Sequence, residues 1–238
     1  MKLILIRHGE PDFSIDSLTP KGWREAEYLS ERTAGWEITD LYCSPLGRAR
    51  DTASLTLKKL GRKAVICDWL REIDCRIQNP MTGGQTVAWD MLPVYLDQHP
   101  ELFDREEWRR NVDMKAGNLA GYVDYVTEGL DRLLESYGYY REGLRYRTES
   151  DTRRDAVVVC FCYFGTICAS LSRLLNMAPH QLWQGCYLAP TSVTVLGTEE
   201  RTEGEAYFRC QVMGDTSHLQ IHGEPVSASG YFDSTFCR

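Results

Sequence analysis

Residues 2–11 read KLILIRHGEP, and this segment gives the first indication of the fold class. Its first five residues are β-prone, and a glycine and a proline then break the run, which is typical of a buried strand that ends in a loop. We expect two further strands at residues 41–43 and 64–67, with helices at residues 20–34 and 45–61. Strands that alternate with helices are the signature of a parallel sheet with right-handed crossover connections.

The pattern changes in the middle of the chain. Between residues 76 and 138 no strand pattern is visible, whereas apolar residues recur at steps of three and four from Leu119 to Tyr137. That spacing is typical of an amphipathic helix. Residues 141–154 form a charged connector. We therefore interpret residues 76–150 as a helical insertion that lies over the carboxyl edge of the sheet.

Strand character returns late in the chain, at residues 156–162, where the run is continuous and apolar, as in a strand that is covered on both faces. A helix is expected at residues 165–175, two more strands at 191–196 and 206–213, and an irregular tail at 227–238. Residues 1–238 are thus expected to form a single α/β domain. Its predicted architecture is a three-layer α/β/α sandwich with a mostly parallel sheet.

Composition and charge exclude several classes of protein. The chain has 238 residues, of which 43% are hydrophobic and 26% charged, and these are ordinary values for a globular protein. A net charge of −7 argues against nucleic acid or an anionic membrane as the partner. No apolar run approaches the roughly 18 residues that a membrane span needs, and the first apolar run is too short for a secretory leader. Nine cysteines without framework spacing indicate reduced thiols and a cytoplasmic location.

Reactive side chains follow three of the expected strands. Arg7 and His8 come after the first strand, Arg48 lies just after the second, and Glu72 lies beyond the third. Because ligands bind at the carboxyl ends of strands in an open parallel sheet, these residues are candidates for one pocket. Guanidinium groups can hold a phosphoryl group and keep a nearby imidazole unprotonated, so that it can attack phosphorus. A carboxyl group can protonate the leaving oxygen.

Four motifs in this order resemble those of the histidine phosphatase superfamily, which includes cofactor-dependent phosphoglycerate mutases and many small phosphatases. They are LIRHGE at residues 5–10, LTPKG at 18–22, SPLGRARDTA at 44–53 and LRE at 70–72. The resemblance spans residues 1 to about 75 and about 155 to 197. It implies that His8 becomes phosphorylated, that Arg7 and Arg48 bind the phosphoryl group and that Glu72 donates the proton. It implies no metal and no cofactor.

One residue departs from the family pattern. The family places a second histidine after the late central strand, before a glycine that opens a helix, and this chain has Tyr163 there. A tyrosine can donate one hydrogen bond from a neutral hydroxyl, so we expect a weakened oxyanion donor. Loss of one such donor typically costs on the order of 10²- to 10³-fold in rate. The resemblance therefore leaves open how active this chain is.

The favoured function is hydrolysis of a small phosphate monoester through a phosphohistidine on His8. Two alternatives stay open: phosphoryl transfer of the phosphoglycerate mutase type, and a catalytically silenced protein that binds phosphate. Asp74 competes with Glu72 for the role of the acid, and Arg50 is assigned to the surface because it faces away from Arg48. The physiological substrate and the oligomeric state are not determined by the sequence.

Two other groups of residues concern metal binding and the walls of the pocket. His218 and His222 lie four residues apart, but their segment shows no helical pattern, so we do not expect them to bind a metal. Three aromatic residues of the insertion are expected to contribute to the walls of the pocket; they are Trp89, Tyr95 and Trp108.

Overall fold

A mixed sheet of eight strands carries the candidate site at one edge. The protein is represented by a computed structural model that describes residues 1–230. The strands are β1 (Lys2–Arg7), β2 (Pro11–Asp12), β3 (Ser17–Leu18), β4 (Asp40–Cys43), β5 (Val65–Ile66), β6 (Arg76–Gln78), β7 (Gln85–Val87), β8 (Tyr140–Glu142), β9 (Arg145–Arg147), β10 (Val157–Cys162), β11 (Val193–Thr202) and β12 (Glu205–Asp215). The helices are α1 (Pro20–Thr33), α2 (Gly47–Leu60), α3 (Pro93–Gln98), α4 (Val112–Ala116), α5 (Leu119–Glu135), α6 (Phe164–Leu175), α7 (Pro179–Gly185) and α8 (Ser217–Ile221). Short 3-10 turns lie at Asp68–Leu70, Pro100–Phe103 and Glu107–Arg110.

The sheet order is β5-β4-β10-β1-β11-β12-β9-β8. The first four strands pair in parallel, and the pairings from β1 to β8 are antiparallel. Six of the eight strands run in the direction of β1, although only three of the seven pairings are parallel. The predicted α/β fold is confirmed, and its sheet is mixed. One group of helices, α1, α2 and α8, packs together on the sheet, and α5, α6 and α7 form a second group.

The central strands form where the sequence is continuously apolar. In β10, the residues from Val158 to Cys162 are buried, because β1 and β4 flank the strand and helices cover it. Helix α1 begins where Thr19 accepts a hydrogen bond from the backbone N–H of Gly22, with Pro20 in the first turn. Helix α2 ends at Gly61, whose φ of 62° lies in the left-handed region that favours glycine. These boundaries agree with the sequence predictions.

The insertion contains the predicted long helix but also strands that the sequence analysis missed. Helix α5 confirms the helical interpretation of its apolar stripe, and it buries Val126 and Leu130. The prediction that no strand lies between residues 76 and 138 is wrong, because β6 and β7 form a hairpin. Each of these strands has three residues, too few for an alternating pattern to be visible, and their pairing with each other holds them.

Two further predictions from the second half of the chain are wrong. The charged connector contains β8 and β9, which form a hairpin at the edge of the sheet with Tyr146 buried beneath charged neighbours. Charged side chains on an edge strand discourage pairing with other chains, and this explains the composition that resembled a loop. The segment with His218 does form a short helix, α8. Of the predicted tail, residues 227–230 are described, and the remainder lies outside the described residues.

The hydrophobic core is continuous between the sheet and the insertion. Helix α5 contacts both α6 and the 3-10 turn that carries Trp69, the turn that leads to Glu72. None of the helices in residues 1–230 combines the length and the apolar character that crossing a membrane requires.

Close packing of α5 against the 3-10 turn that carries Trp69 depends on Gly129. A Cβ atom there would overlap the ring of Trp69, so we expect Gly129→Ala to lower the free energy of unfolding by about 1–3 kcal/mol through overpacking. Urea denaturation followed by circular dichroism measures this change. The control is Gly185→Ala at the end of α7, where an added Cβ meets nothing within 4 Å. Equal stabilities for the two variants would contradict the proposed packing.

Candidate active site

The carboxyl ends of β1, β10 and β4 meet at one edge of the sheet and define the site. The backbone N–H of His8 donates to the carbonyl oxygen of Cys162 at 3.1 Å, and the N–H of Ser44 donates to that of Phe161 at 3.0 Å. These bonds extend the strand pairing past the last strand residues. As a result, the first residues after three neighbouring strands, His8, Ser44 and Tyr163, lie side by side.

His8 is buried, and its ring is held in one tautomer. Its Nδ1 lies 2.7 Å from the carbonyl oxygen of Gly9. Because a carbonyl oxygen only accepts, Nδ1 carries the proton and donates it, which leaves the lone pair on Nε2. Burial is the largest cause that lowers the pKa of His8 well below 6.5, and the charges of Arg7 and Arg48 lower it further. The ring is therefore a neutral imidazole with a nucleophilic Nε2.

The loop after β1 is fixed by close backbone contacts with α1 and α2. The N–H of Gly9 donates to Thr52 Oγ1 at 2.9 Å. A Cβ on Gly9 would lie 2.9 Å from the carbonyl oxygen of Gly22, so only glycine allows this approach of the two segments. Thr52 and Gly22 were not identified from the sequence as site residues, although both lie within the quoted motifs.

Each of the two site arginines keeps one buried N–H group without a partner among residues 1–230. Arg7 donates from Nη1 to the carbonyl oxygen of Leu188 at 2.5 Å and from Nη2 to that of Ser229 at 3.0 Å. Arg48 donates from Nη1 to Asp16 at 2.5 Å. The Nε atoms of both arginines are buried and without a hydrogen-bond partner. A buried unpaired donor costs about 1–3 kcal/mol, so these two atoms are suited to an anion with several oxygens.

Asp16 positions Arg48 from the β2–β3 loop. One carboxylate oxygen accepts from Arg48, and the other accepts from the backbone N–H of Gly47 at 2.7 Å. The sequence analysis missed Asp16, which lies between two recognised motifs in a loop without a pattern of its own. Its φ of 48° places it in the left-handed region that aspartate tolerates better than most residues.

Glu72 is partly buried near the same arginines. Burial is the largest cause that raises its pKa to about 7, and a hydrogen bond from the Ile73 N–H, at 3.0 Å, and the charges of Arg7 and Arg48 oppose the rise. A carboxyl group with this pKa exchanges its proton near neutral pH, as a general acid and base must. The competing Asp74 is 70% exposed in its side chain and forms an ion pair with Arg76 at 2.7 Å.

Tyr163 contacts both the imidazole and a guanidinium group with its ring. The ring is fully buried; its centroid lies 5.1 Å from that of His8 and 4.5 Å from Arg48 Cζ. Its hydroxyl accepts a hydrogen bond from Ser44 Oγ at 3.3 Å. Burial raises the pKa of Tyr163, so its hydroxyl is neutral at physiological pH. Arg7, His8, Arg48, Glu72 and Tyr163 are thus neighbours, and their roles stay predictions.

The two histidines near the end of the described chain have separate partners. His218 Nε2 lies 3.0 Å from Thr191 Oγ1, whereas His222 stacks on Tyr28 at 4.1 Å and pairs with Glu31 at 3.0 Å. Across residues 1–230, no cluster of three or more histidine, cysteine, aspartate or glutamate side chains has the arrangement of a metal site.

The aromatic residues of the insertion divide into two kinds. Trp89 is partly exposed and borders the site, next to Gly165. Tyr95 and Trp108 are 2% exposed and belong to the core of the insertion, so the prediction that they contribute to the pocket walls is wrong. Tyr95 donates to Asp113 at 2.6 Å, which satisfies its buried hydroxyl.

Comparison with known proteins identifies the family to which the chain belongs. The family model of the histidine phosphatase superfamily (branch 1) matches residues 3–86. A 2,3-bisphosphoglycerate-dependent phosphoglycerate mutase from Thermoplasma acidophilum is 36% identical over 154 residues, which is 58% of this chain and 76% of the mutase. The chain belongs to the histidine phosphatase superfamily.

Solved structures of phosphatases have the same fold. A phosphoserine phosphatase from Entamoeba histolytica, in complex with phosphoserine, aligns over 92% of this chain and 98% of its own, with a TM-score of 0.61 and 21% identity. A mycobacterial glucosyl-3-phosphoglycerate phosphatase aligns over 90% of this chain and 98% of its own, with a TM-score of 0.57 and 18% identity. At these identities the similarity concerns the fold.

The environment of His8 leads to a prediction about its protonation. We expect ¹⁵N NMR at pH 6 to show His8 as a neutral imidazole protonated on Nδ1. In Arg48→Met the pKa of His8 should rise, because a nearby positive charge that disfavours the imidazolium has been removed. Arg50→Met removes an exposed arginine two residues away and should leave the titration unchanged. An imidazolium in the unmodified protein at pH 6 would contradict this account.

Proposed function

We propose that this protein hydrolyses a small phosphate monoester through a phosphohistidine intermediate on His8. The observation that carries the proposal is the neutral His8 ring, with its Nε2 lone pair free, beside two arginines whose buried Nε–H groups have no acceptor in the described chain. Those two donors are suited to hold phosphoryl oxygens while charge develops on them. The superfamily membership supports an enzyme of the phosphatase or mutase type.

The reaction takes two steps at one phosphorus atom. His8 Nε2 attacks phosphorus, the ester P–O bond breaks, and Glu72 gives its proton to the leaving alcohol oxygen. Water then attacks phosphorus, and the P–N bond breaks. Glu72 accepts the water proton as inorganic phosphate leaves, and both residues return to their starting states. Glu72 suits both steps because its pKa is about 7.

Tyr163 is proposed to be a neutral oxyanion donor of limited strength. Its hydroxyl accepts from Ser44, so its own proton can still be donated to a phosphoryl oxygen. Unlike the histidine that the family places there, tyrosine does not become a cation near neutral pH.

Mutase-type transfer is the second candidate, and the 36% identical relative favours it. Such an enzyme must bind a substrate that has a carboxylate as well as a phosphate. In the described part of the insertion, most arginines already pair with acidic residues, as Arg109 does with Asp124 at 2.6 Å and Arg110 with Glu107 at 2.7 Å. The scarcity of unpaired cations favours the hydrolase.

The cytoplasmic location and the small-molecule partner belong to the same proposal. The eight cysteines of the described chain are free thiols, which fits a reducing compartment. Relatives in structures with phosphoserine or 3-phosphoglyceric acid support a phosphorylated small molecule as the partner.

Hydrolysis of p-nitrophenyl phosphate, with trapping of the phosphoenzyme, tests the proposed function. We expect a labelled phosphoryl group on the unmodified protein that is acid-labile and absent from His8→Ala. Tyr163→His should raise the rate, by up to the order of 10²- to 10³-fold if the stronger oxyanion donor is restored.

Two results would contradict the proposed hydrolysis. Phosphate binding without turnover in both the unmodified protein and Tyr163→His would favour a silenced phosphate-binding protein. Transfer of the label to a phosphoglycerate, in place of its release to water, would favour the mutase.

The pKa of Glu72 leads to a prediction about pH. Glu72 must be protonated to donate its proton to the leaving oxygen. We therefore expect kcat/KM for glycerol 2-phosphate to fall as the pH rises through about 7. Because neutral His8 has a pKa well below 6.5, the acidic limb should lie below that value. Glu72→Gln should lower the rate by about 10²- to 10⁴-fold, and its pH–rate profile should no longer show the decrease near pH 7.

The matched control for Glu72→Gln is Asp74→Asn, which changes an exposed carboxylate two residues away. It should keep both the rate and the pH profile. If Asp74→Asn loses the limb near pH 7 and Glu72→Gln keeps it, the assignment of the acid is wrong.

A further inference from the structure

Three aromatic rings, one exposed and two partly exposed, lie near the proposed phosphate site, and the mechanism uses none of them. Phe13 is 74% exposed, yet its ring centroid lies 5.6 Å from Arg48 Cζ. The ring of Phe164 lies 5.9 Å from Arg7 Cζ. The third ring is Trp89. We call these three residues the aromatic rim.

The outer edge of Trp89 lies beside the proposed acid. A Cβ atom added to Gly165 would lie 2.5 Å from Glu72 Oε1, 3.0 Å from Trp89 Cη2 and 3.1 Å from Trp89 Cζ3. The six-membered ring therefore approaches the carboxyl oxygen closely at Gly165. Because Glu72 is proposed to protonate the ester oxygen, the carbon bonded to that oxygen would lie near this carboxyl group and therefore in the neighbourhood of the Trp89 ring.

The Trp89 ring is held in place before any ligand binds. It packs against Trp183 with 5.7 Å between ring centroids, and the Trp183 Nε1–H donates to the carbonyl oxygen of Gly165 at 3.2 Å. Gln184 Nε2 donates to the carbonyl oxygen of Trp89. A fixed aromatic surface loses little conformational entropy when it contacts a ligand.

Charged residues near Glu72 in the sequence do not offer a site for a second anion. Arg71 pairs with Asp68 at 3.1 Å, and Arg76 pairs with Asp74 at 2.7 Å. A carboxylate on the alcohol part of the substrate would find these two cations already neutralised. The surroundings of the leaving group are therefore aromatic and lack an unpaired cation among these neighbours.

We propose that Trp89 determines specificity by contacting the alcohol part of the substrate, and that this part carries a flat, apolar group within one carbon of the ester oxygen. The substrate class is thus an aryl or arylmethyl phosphate monoester. This inference rests on the proposed function, because it uses the position of the leaving oxygen at Glu72. Phe13 and Phe164 contact the two proposed phosphate-binding arginines, Arg48 and Arg7.

Binding of phosphonates tests the inference without any need for turnover. A phosphonate has a P–C bond that this reaction does not cleave, so its Kd reports recognition alone. Isothermal titration should show that benzylphosphonate binds about five- to tenfold more tightly than methylphosphonate, as expected for one good aromatic contact. Phosphonoacetate, which carries a carboxylate, should bind no more tightly than methylphosphonate.

Variants at Trp89 test whether this residue causes the preference for benzylphosphonate. Trp89→Ala should reduce the ratio of the two Kd values to within about twofold, with the Kd of methylphosphonate little changed. Trp89→Phe keeps a smaller ring against Trp183 and should give an intermediate ratio of the two Kd values. If circular dichroism shows that Trp89→Ala is unfolded, the ratio for Trp89→Phe is the test of the contact. The control is Trp36→Ala, which removes a partly buried tryptophan that contacts Arg32. Trp36 precedes β4 and so lies at the edge of the sheet opposite to the candidate site. Its ratio should equal that of the unmodified protein.

The outcomes separate this inference from the proposed function. Equal binding of benzylphosphonate and methylphosphonate, or an unchanged ratio in folded Trp89 variants, overturns the inference and leaves the phosphate site intact. Tightest binding by phosphonoacetate also overturns it and points to a carboxylated substrate. If no phosphonate and no inorganic phosphate binds, the proposed function fails and the inference fails with it.

Discussion

The hydrogen bond from His8 Nδ1 to the carbonyl oxygen of Gly9 is the constraint on which the site depends. It fixes the tautomer, and thereby decides that Nε2 carries the lone pair. The bond needs a particular path of the chain after β1, and Gly9 makes that path possible through its close approach to Gly22 and its bond to Thr52. Residues from three separate motifs therefore orient the His8 ring. The sheet also contributes, because its parallel half places the ends of the neighbouring strands next to this loop.

Electrostatics and burial act together at this ring. Arg7 and Arg48 disfavour the imidazolium, yet the same charges attract the phosphate on which the imidazole would act. Asp16 holds Arg48 from the side of the solvent, which leaves its buried Nε–H free for an anion. The pKa of Glu72 shifts in the opposite direction. Burial raises it more than the nearby positive charges lower it, so the carboxyl group stays protonated up to about pH 7. One pocket thus keeps an imidazole neutral and a carboxyl neutral, by different balances of the same forces.

Much of the fold could be predicted from the sequence, because long apolar runs and helix caps have strong local signals. The strand at β10 and the helix that ends at Gly61 are examples. The hairpins β6–β7 and β8–β9 could not be predicted, since strands of three residues depend on their partners more than on their own pattern. The family motifs marked the residues that meet at the site. Asp16 carries no such mark, because its importance arises from its tertiary contact with Arg48. The sequence predicts Trp89 at the pocket wall only as an aromatic residue of the insertion, and its position beside Glu72 and Gly165 depends on the tertiary structure.

The raised pKa of Glu72 has a thermodynamic consequence for the whole chain. The folded protein binds the Glu72 proton more tightly than the unfolded chain does, whose glutamate has a pKa near 4.5. Between about pH 4.5 and pH 7 this group therefore favours the folded state less as the pH rises, which is the reverse of an ion-paired carboxylate. The property that suits Glu72 to its proposed role as an acid at neutral pH thus lowers the conformational stability of the protein. The hydrophobic core that the sheet and the insertion share stabilises the folded state and offsets this loss of stability.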